Sequence, residues 1–337
     1  MIRNASALLL RIRDIHAHIR DEVVRETERS AIETLSTAVG EDAGDTIFAI
    51  DRVSEEALLA QFGELSREWP LVLIAEGLGT TGRTVLPEGT AESAAELVVI
   101  VDPIDGTRGL MYQKRSAWIL TGVAPNPRTR PARLSDIEIA VQSEIPLVKQ
   151  HLCDSFWAIK DDVVAGERVN RLTGARQPVQ PRPSQSRTIL QGFGNISRFF
   201  PGTRALLASI DDALVERILG KLPPNRTVAF EDQYISSGGQ FYELLMGHDR
   251  WLADLRPLAW KQRGERGLCC HPYDVCTELI ARMVGIPVLG IDGNTIDAPL
   301  DVDTDVHWMA FANAHLRAQV LPVLMTLLRE HDLIPHL

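Results

Sequence analysis

Long apolar runs are missing from this chain of 337 residues. No stretch approaches the roughly 20 apolar residues of a helical membrane span, so a membrane is not an expected partner. Leu8-Leu9-Leu10 is followed at once by charge at Arg11. That run is too short for a signal-peptide core, and the chain reads as cytoplasmic. Positive charge is in deficit, with 35 Lys and Arg against 45 Asp and Glu, a net charge of −10. Such a balance argues against a nucleic-acid backbone as partner. It also means that an anionic ligand needs local attraction, which bound cations would provide. Cysteine is scarce, with four in all. Cys153 stands alone, while Cys269, Cys270 and Cys276 cluster around His271. That cluster lacks the paired Cys-x-x-Cys spacing of a zinc site, so reduced, partly buried thiols are expected. No internal repeat is visible, which leaves repeat architectures aside.

Apolar content of 45% and charged content of 24% are ordinary for a globular protein. The length suffices for a large core, as one domain or two fused lobes.

The most informative stretch is Leu97–Thr107, Leu-Val-Val-Ile-Val-Asp-Pro-Ile-Asp-Gly-Thr. Leu97 to Val101 predict a buried strand. Pro103 has no N–H for a sheet ladder, so the chain is expected to leave the sheet after Asp102. Asp102 and Asp105 then stand three residues apart around a tight turn. Two carboxylates suit a hard cation such as Mg²⁺. Gly106 lets the backbone approach a ligand closely. The amides after the carboxylates suit a phosphate oxygen. An ordinary strand exit uses the same residue types, but the length of the run and its place after an apolar strand favour a functional turn.

The run Asp102-Pro103-Ile104-Asp105-Gly106-Thr107 resembles the signature of the inositol monophosphatase superfamily, Mg²⁺-dependent, Li⁺-sensitive phosphomonoesterases. Further residues match in order. Leu71–Ala75 reads as an apolar strand that ends at Glu76-Gly77, where the superfamily commonly has Glu-Glu. Glu76 matches the first Glu; Gly77 departs from the second. Asp51 lies near a predicted helix, Ser54 to about Phe62, where the superfamily usually has an Asp close to its metals. A residue favoured near a helix N-terminus is the other reading of Asp51. Tyr273-Asp274 resembles the superfamily's Trp-Asp at a helix start, although Asp is also a good helix cap. Asp254 lies where relatives often carry a substrate-binding acid. Ala310-Phe311-Ala312-Asn313, before a final predicted helix, resembles the superfamily's C-terminus.

The resemblance implies an α/β (α+β) fold, a layered α/β/α/β/α sandwich of the sugar phosphatase or inositol monophosphatase type. It divides the chain at 1–180, an N-terminal α+β lobe with Glu76 and the signature, and 188–337, a C-terminal α/β lobe with Asp274. It implies two or three Mg²⁺ held by Glu76, Asp102, the Ile104 carbonyl, Asp105, Asp274 and Asp51. Glu76 and Thr107 would act on the attacking water. Substrate would meet Asp105, the amides of Gly106 and Thr107, the turn at Ser237 and Gly238, Asp254 and Asp274. The implied activity is hydrolysis of a small phosphate monoester, inositol monophosphate-like or a sugar phosphate, by a homodimer. Fructose-1,6-bisphosphatase or 3′-phosphoadenosine 5′-phosphate phosphatase activity, and a non-catalytic metabolite-binding member of the fold, stand as alternatives.

The rest of the chain reads as follows. Helical spacing of Ile12, Ile15, Ile19 and Val23 predicts a helix over 5–39, with His16 and His18 as surface or packing residues. Residues 79–95 read as a loop. Arg108, Lys114 and Arg115 form a basic cluster that either meets a second substrate anion or faces solvent. Strands are predicted at Ala117–Ala124, Glu138–Val141 and Ser155–Ile159. The three prolines of Thr173–Arg187 suggest a linker. A helix is predicted over Thr203–Leu219, a short strand at Tyr234–Ser237, a helix at Gln240–Met246 and a strand at Trp251–Leu255. Arg256–Gly267 reads as a basic insertion beside the pocket. A helical run at Val275–Val284, a strand at Ile286–Leu289, strands and turns over Asp301–Ala312, and a helix at Leu316–Glu330 complete the chain.

Overall fold

The computed structural model describes residues 1–29, 38–42, 45–79, 81–221 and 224–336, with the backbone alone for 38–42 and 45–56. In chain order the first elements are α1 (Ala5–Arg29), β1 (Ala38–Asp42), β2 (Asp45–Phe48) and α2 (Ala49–Leu65). Next come β3 (Leu71–Ala75), β4 (Arg83–Leu86), β5 (Leu97–Asp105) and α3 (Thr107–Met111). Then follow β6 (Ala117–Pro125), β7 (Ile139–Ile145), β8 (Leu152–Ile159), β9 (Val163–Asn170) and β10 (Arg176–Val179). The later part holds β11 (Phe193–Ile196), α4 (Arg204–Leu219), α5 (Ser237–Leu245), β12 (Asp249–Asp254) and α6 (Arg256–Arg263). It ends with α7 (Glu278–Met283), β13 (Val288–Leu289), β14 (Trp308–Phe311) and α8 (Ala314–Glu330).

Strands β10-β9-β8-β7-β6-β5-β3-β4 form an eight-stranded sheet, and β11-β12-β14-β13 a four-stranded one. The pleat of the large sheet sorts its residues between two cores. Leu71, Leu73, Leu97, Val99, Val101 and Ile119 face α1 and α2. Val72, Ile74, Val98, Ile100 and Leu120 face a second core shared with the small sheet. Helices α5 and α7 lie between the sheets, and α4 and α8 cover the far side of the small one. The result is a five-layer α/β/α/β/α sandwich. Both faces of β5 are covered, which is why Leu97–Val101 is apolar at every position rather than alternating.

Several expectations need correcting. The helix predicted over 5–39 stops at Arg29, and β1 starts at Ala38; residues 30–37 lie outside the described residues. Asp51 is in the first turn of α2 rather than before it, and its side chain lies outside the described residues. The 79–95 loop contains β4, which pairs antiparallel with β3. Part of the proposed linker is β10, an edge strand on β9; Pro178 is tolerated there because an edge strand has one unpaired side. Tyr234–Ser237 is not a strand, and Ser237 already belongs to α5. Arg256–Gly267 begins as α6, with Pro257 in its first turn, where the missing N–H costs nothing. The run Val275–Val284 is split into a 3-10 turn at Pro272–Val275 and α7. His16 is a packing residue, buried between Ser143 and Thr121. All four cysteines are free and buried rather than partly so.

Candidate metal centre

Two parallel strands deliver the first two carboxylates. In the register of β3 with β5, Ala75 faces Val101. Glu76 and Asp102 are the next residues of each strand, so they stand side by side where the pairing of β3 with β5 ends. Glu76 is half-buried, and its charge reaches both Asp102 and Asp274.

Beyond Val101 the strand does not end at Pro103 as the sequence suggests. It continues against β6 through a bulge: Asp102 pairs with Leu120 and Asp105 with Trp118. Three steps on β5 thus match two on β6. An unbroken pleat would send residues i and i+3 to opposite faces. The extra residue reverses that, and bulges commonly re-aim side chains in this way. Ile104 packs into the α1–α2 core, while Asp105 points between the sheets with Asp102. The proline is therefore part of the device that puts both carboxylates on one side.

Asp102 Oδ1 accepts the Ile104 amide at 3.0 Å, a local turn that fixes the first carboxylate. Thr107 Oγ1 donates to the Ile104 carbonyl at 2.8 Å. Gly106 has φ +98° and precedes α3. A Cβ there would meet Ser236 Cβ at 3.0 Å and the Ile235 carbonyl at 3.3 Å, so the position calls for glycine twice over.

Asp105 reaches across to the start of α5. Its Oδ2 accepts from Gly238 N at 2.6 Å and Ser236 Oγ at 2.8 Å, and its Oδ1 from Ser237 N at 3.3 Å. Ser236 also accepts from Gly239 N at 2.8 Å as the N-cap of α5. A side chain at 238 would push on Asp105 Oδ2 and Trp118, both 3.0 Å from its Cβ. Buried Gln142 on β7 fixes the same turn, donating to the Gly238 carbonyl at 2.7 Å. The turn predicted to offer amides to a ligand offers them to Asp105.

Asp274 comes from much later in the chain, after β12 and α6. It sits in the Pro272–Val275 turn, and its Oδ2 accepts the His271 amide at 2.6 Å. The cap and ligand readings of Asp274 are compatible, because the cap uses one carboxylate oxygen.

Oxygens of Asp102, Asp105 and Asp274 lie within 4.8 Å of one another. Burial is the main force raising all three pKa values, Asp105 to about 6. Repulsion among the carboxylates pushes Asp102 and Asp274 further up, while hydrogen bonds from Gly238, Ser236 and Ser237 and the charge of Arg256 pull Asp105 back down. Three buried carboxylates facing one point suit a hard divalent cation, which would offset the repulsion. Among the described residues no other group of three or more such ligands converges in this way.

Asp254 ends β12 and is fully buried. Both its oxygens are held by Arg256: Nε lies 2.9 Å from Oδ1 and Nη2 2.5 Å from Oδ2. In the basic cluster, Arg115 pairs with Asp232 and reaches Glu243 at 3.8 Å, so its charge is spent within the protein.

No protein-family model matches the chain, and no curated protein matches it in sequence. Solved structures do match in shape. The fructose-1,6-bisphosphatase of Leishmania major is 15% identical, with 98% of this chain and 96% of that one covered at a TM-score of 0.68. The suhB extragenic suppressor protein of Bartonella henselae is 13% identical, covering 94% and 98% at 0.62. An IMPase of Thermotoga maritima is 13% identical, covering 93% and 94% at 0.57. The chain has the inositol monophosphatase fold. These matches extend over nearly the whole of both chains, so the fold holds for both sheets.

Two residues that shape the centre on this inositol monophosphatase scaffold were not singled out from the sequence. Ser236 both caps α5 and donates to Asp105; its signal was the serine standing just before Ser237-Gly238-Gly239. Arg256 stands in the sequence only as the first residue of the basic stretch Arg256–Gly267. Its spacing of two residues from Asp254 across a strand end was the available clue.

Proposed function

We propose that the chain is a Mg²⁺-dependent phosphatase that hydrolyses a small phosphate monoester with water. The observation that carries this reading is the convergence of Asp102, Asp105 and Asp274 within 4.8 Å from both halves of the inositol monophosphatase fold. Asp102, Asp105, Asp274, Glu76 and the Ile104 carbonyl would hold the metal. When bound, Mg²⁺ neutralises phosphate charge and makes water a better nucleophile.

The chain supplies orientation. The Thr107 hydroxyl donates to the Ile104 carbonyl, which fixes its direction, and its oxygen is the group assigned to accept a hydrogen bond from the attacking water. Glu76, at the edge of the large sheet, is the second acceptor for that water and the base that draws on its proton. The amides of Gly106 and Thr107, opening α3, hold phosphate oxygens. Asp105 stays fixed through its bonds to α5 and so keeps the two lobes in register around the ester. Water adds to phosphorus, the ester P–O bond breaks, and phosphate and an alcohol leave.

The test is phosphate release from a panel of monoesters with Mg²⁺, with EDTA and with Li⁺. Release that needs Mg²⁺ supports the reading. A folded protein that releases no phosphate from any ester at saturating Mg²⁺ overturns it.

A further inference from the structure

On its α1 side the outer part of the large sheet turns polar along one row. Ile139, Val141 and Ile145 of β7 and Trp157 and Ile159 of β8 pack towards α1. Ser143 and Ser155 interrupt that pattern. Ser143 pairs with Ser155, and Ser155 with Glu167 of β9, so the three stand abreast on one face. Opposite them α1 carries Arg13, Ala17 and Arg20, whose helical spacing puts them on one stripe. Ala17 is short, and a cavity of about 200 Å³ remains between stripe and row, with Arg176 of β10 also lining it. Gln142 and Phe156, neighbours of the two serines, face the opposite way, Gln142 to the Gly238 turn beside Asp105. The cavity and the metal centre therefore lie on opposite faces of the sheet.

Three guanidiniums meet at the cavity, and their donors are not used up. The Arg20 side chain is only 9% exposed. Its Nε and Nη2 both go to one oxygen of Asp21, at 3.0 and 2.8 Å, and Nη1 bonds to nothing among the described residues. Arg13 lies 3.5 Å over the Trp157 ring, which fixes its plane. Its hydrogen bond to Glu167 Oε1 is long, 3.4 Å, and Arg176 donates to the same oxygen at 2.8 Å. One carboxylate oxygen thus serves two guanidiniums. Burial lowers the Arg13 pKa, Glu167 raises it, and Arg176 lowers it again. Asp14, the other acid at the cavity, is exposed, where water and salt screen it. Ser143 Oγ is taken by His16 at 2.9 Å, whereas the Ser155 hydroxyl has no partner among the described residues. Burying guanidinium donors without acceptors is costly, and an oxyanion that accepts from several arginines removes that cost.

We propose that this cavity is a binding site for a small oxyanion, inorganic phosphate or a small carboxylate, held by Arg13, Arg20, Arg176 and Ser155. It is separate from the metal centre and takes no part in the ester reaction. Its volume is below the roughly 300 Å³ at which pockets begin to take drug-sized ligands. The ligand is therefore an ion or an acid of a few carbons rather than a nucleotide.

The experiment is isothermal titration of the full chain, stripped of metal over a chelating resin, with inorganic phosphate and with malonate. Without metal the three aspartates of the centre repel anions, so saturable binding reports the cavity. Wild type is expected to bind at least one of the two with a Kd of about 1 mM or tighter. Arg20→Gln and Arg176→Gln should each weaken that binding about tenfold, the scale of one charge-assisted hydrogen bond. Ala17→Leu, which fills the space without changing charge, should weaken it as well. Arg176 is 55% exposed on an edge strand, so Arg176→Gln keeps the test valid if Arg20→Gln does not fold. The anion that binds distinguishes phosphate from carboxylate. No saturable binding of either overturns the site. So does binding that Arg176→Gln and Ala17→Leu leave unchanged, which would put the anion elsewhere. Neither metal nor turnover enters the measurement, so its failure leaves the phosphatase reading standing.

Discussion

The Asp105 carboxylate in the large sheet accepts the Gly238 amide from the first turn of α5 at 2.6 Å. This bond makes one residue both a member of the acidic centre and a cap on a helix that packs against the small sheet. A negative charge at that end of a helix is favourable in itself. The centre is therefore assembled by the same contact that joins the two sheets.

Asp105→Asn and Asp102→Asn should both abolish Mg²⁺-dependent phosphate release, because a neutral amide is a poorer ligand for a hard cation. They should differ in stability. Asp105 accepts from three groups, and an amide would turn a donor towards at least one of them, at about 1–3 kcal/mol. Asp102 accepts from the Ile104 amide, which Asn can still satisfy through Oδ1. Thermal melting without metal should show Asp105→Asn well below wild type and Asp102→Asn close to it. Near-normal turnover of Asp105→Asn at saturating Mg²⁺ would remove this residue from the centre.

Thr107→Ala should lower kcat on the order of a hundredfold while moving KM little, since the hydroxyl is assigned to the attacking water. Thr107→Ser keeps the hydroxyl and should retain most activity. If instead KM rises and kcat holds, Thr107 binds substrate and the water needs another acceptor.

His16 predicts a pH effect far from the centre. It bridges Ser143 Oγ at 2.9 Å and Thr121 Oγ1 at 2.8 Å, and burial, with Arg20 adding to it, lowers its pKa to about 3. In the unfolded chain the ring protonates near 6.5. Between these values the unfolded state holds a proton that the folded state refuses. Stability from this group is complete above pH 6.5 and falls as pH drops towards 3, by roughly 1.4 kcal/mol per unit. His16→Gln has no such group. Melting temperatures of the two proteins should converge or cross as pH falls from 7.5 to 5. A constant gap would show that His16 is not the titrating residue.

Much of this fold could be read from residue order because its central strands are apolar at every position. Leu71–Ala75 matches β3 residue for residue, and the start of β5 at Leu97 was equally plain. The signature turn located Asp102 and Asp105 together. Its mechanism was not legible, because a bulge is defined by the register of β6, which the β5 sequence does not carry. The same holds at Ser237 and Gly238, whose amides meet a carboxylate more than 130 residues away. Tyr234 looked like strand by composition, yet its hydroxyl is fixed by the Ser116 carbonyl and the Trp118 indole, contacts that leave its backbone outside any sheet. Propensity failed where tertiary partners decided.

Li⁺ sensitivity is implied by the resemblance to the inositol monophosphatase superfamily, and Gly77 makes it an exposed prediction. A monovalent ion in a divalent position supplies half the charge, too little to activate water or release phosphate. Glu76, Asp102, Asp105 and Asp274 are all present, so inhibition is expected. It should be weaker than with a second carboxylate beside Glu76, because that position is glycine. Gly77 has φ +73°, and a Cβ there would meet nothing within 4 Å. Space is therefore available, and the obstacle is backbone strain of about 1–2 kcal/mol. Asp tolerates this conformation better than Glu, which makes Gly77→Asp the gentler probe and Gly77→Glu the second. Phosphate release against Li⁺ concentration at fixed Mg²⁺ should show half-inhibition at lower Li⁺ in Gly77→Asp than in wild type. Superimposed curves would mean that a second carboxylate does not tune this metal position. Complete Li⁺ resistance in both proteins would instead argue that Glu76 and the three aspartates hold their metals in a different arrangement.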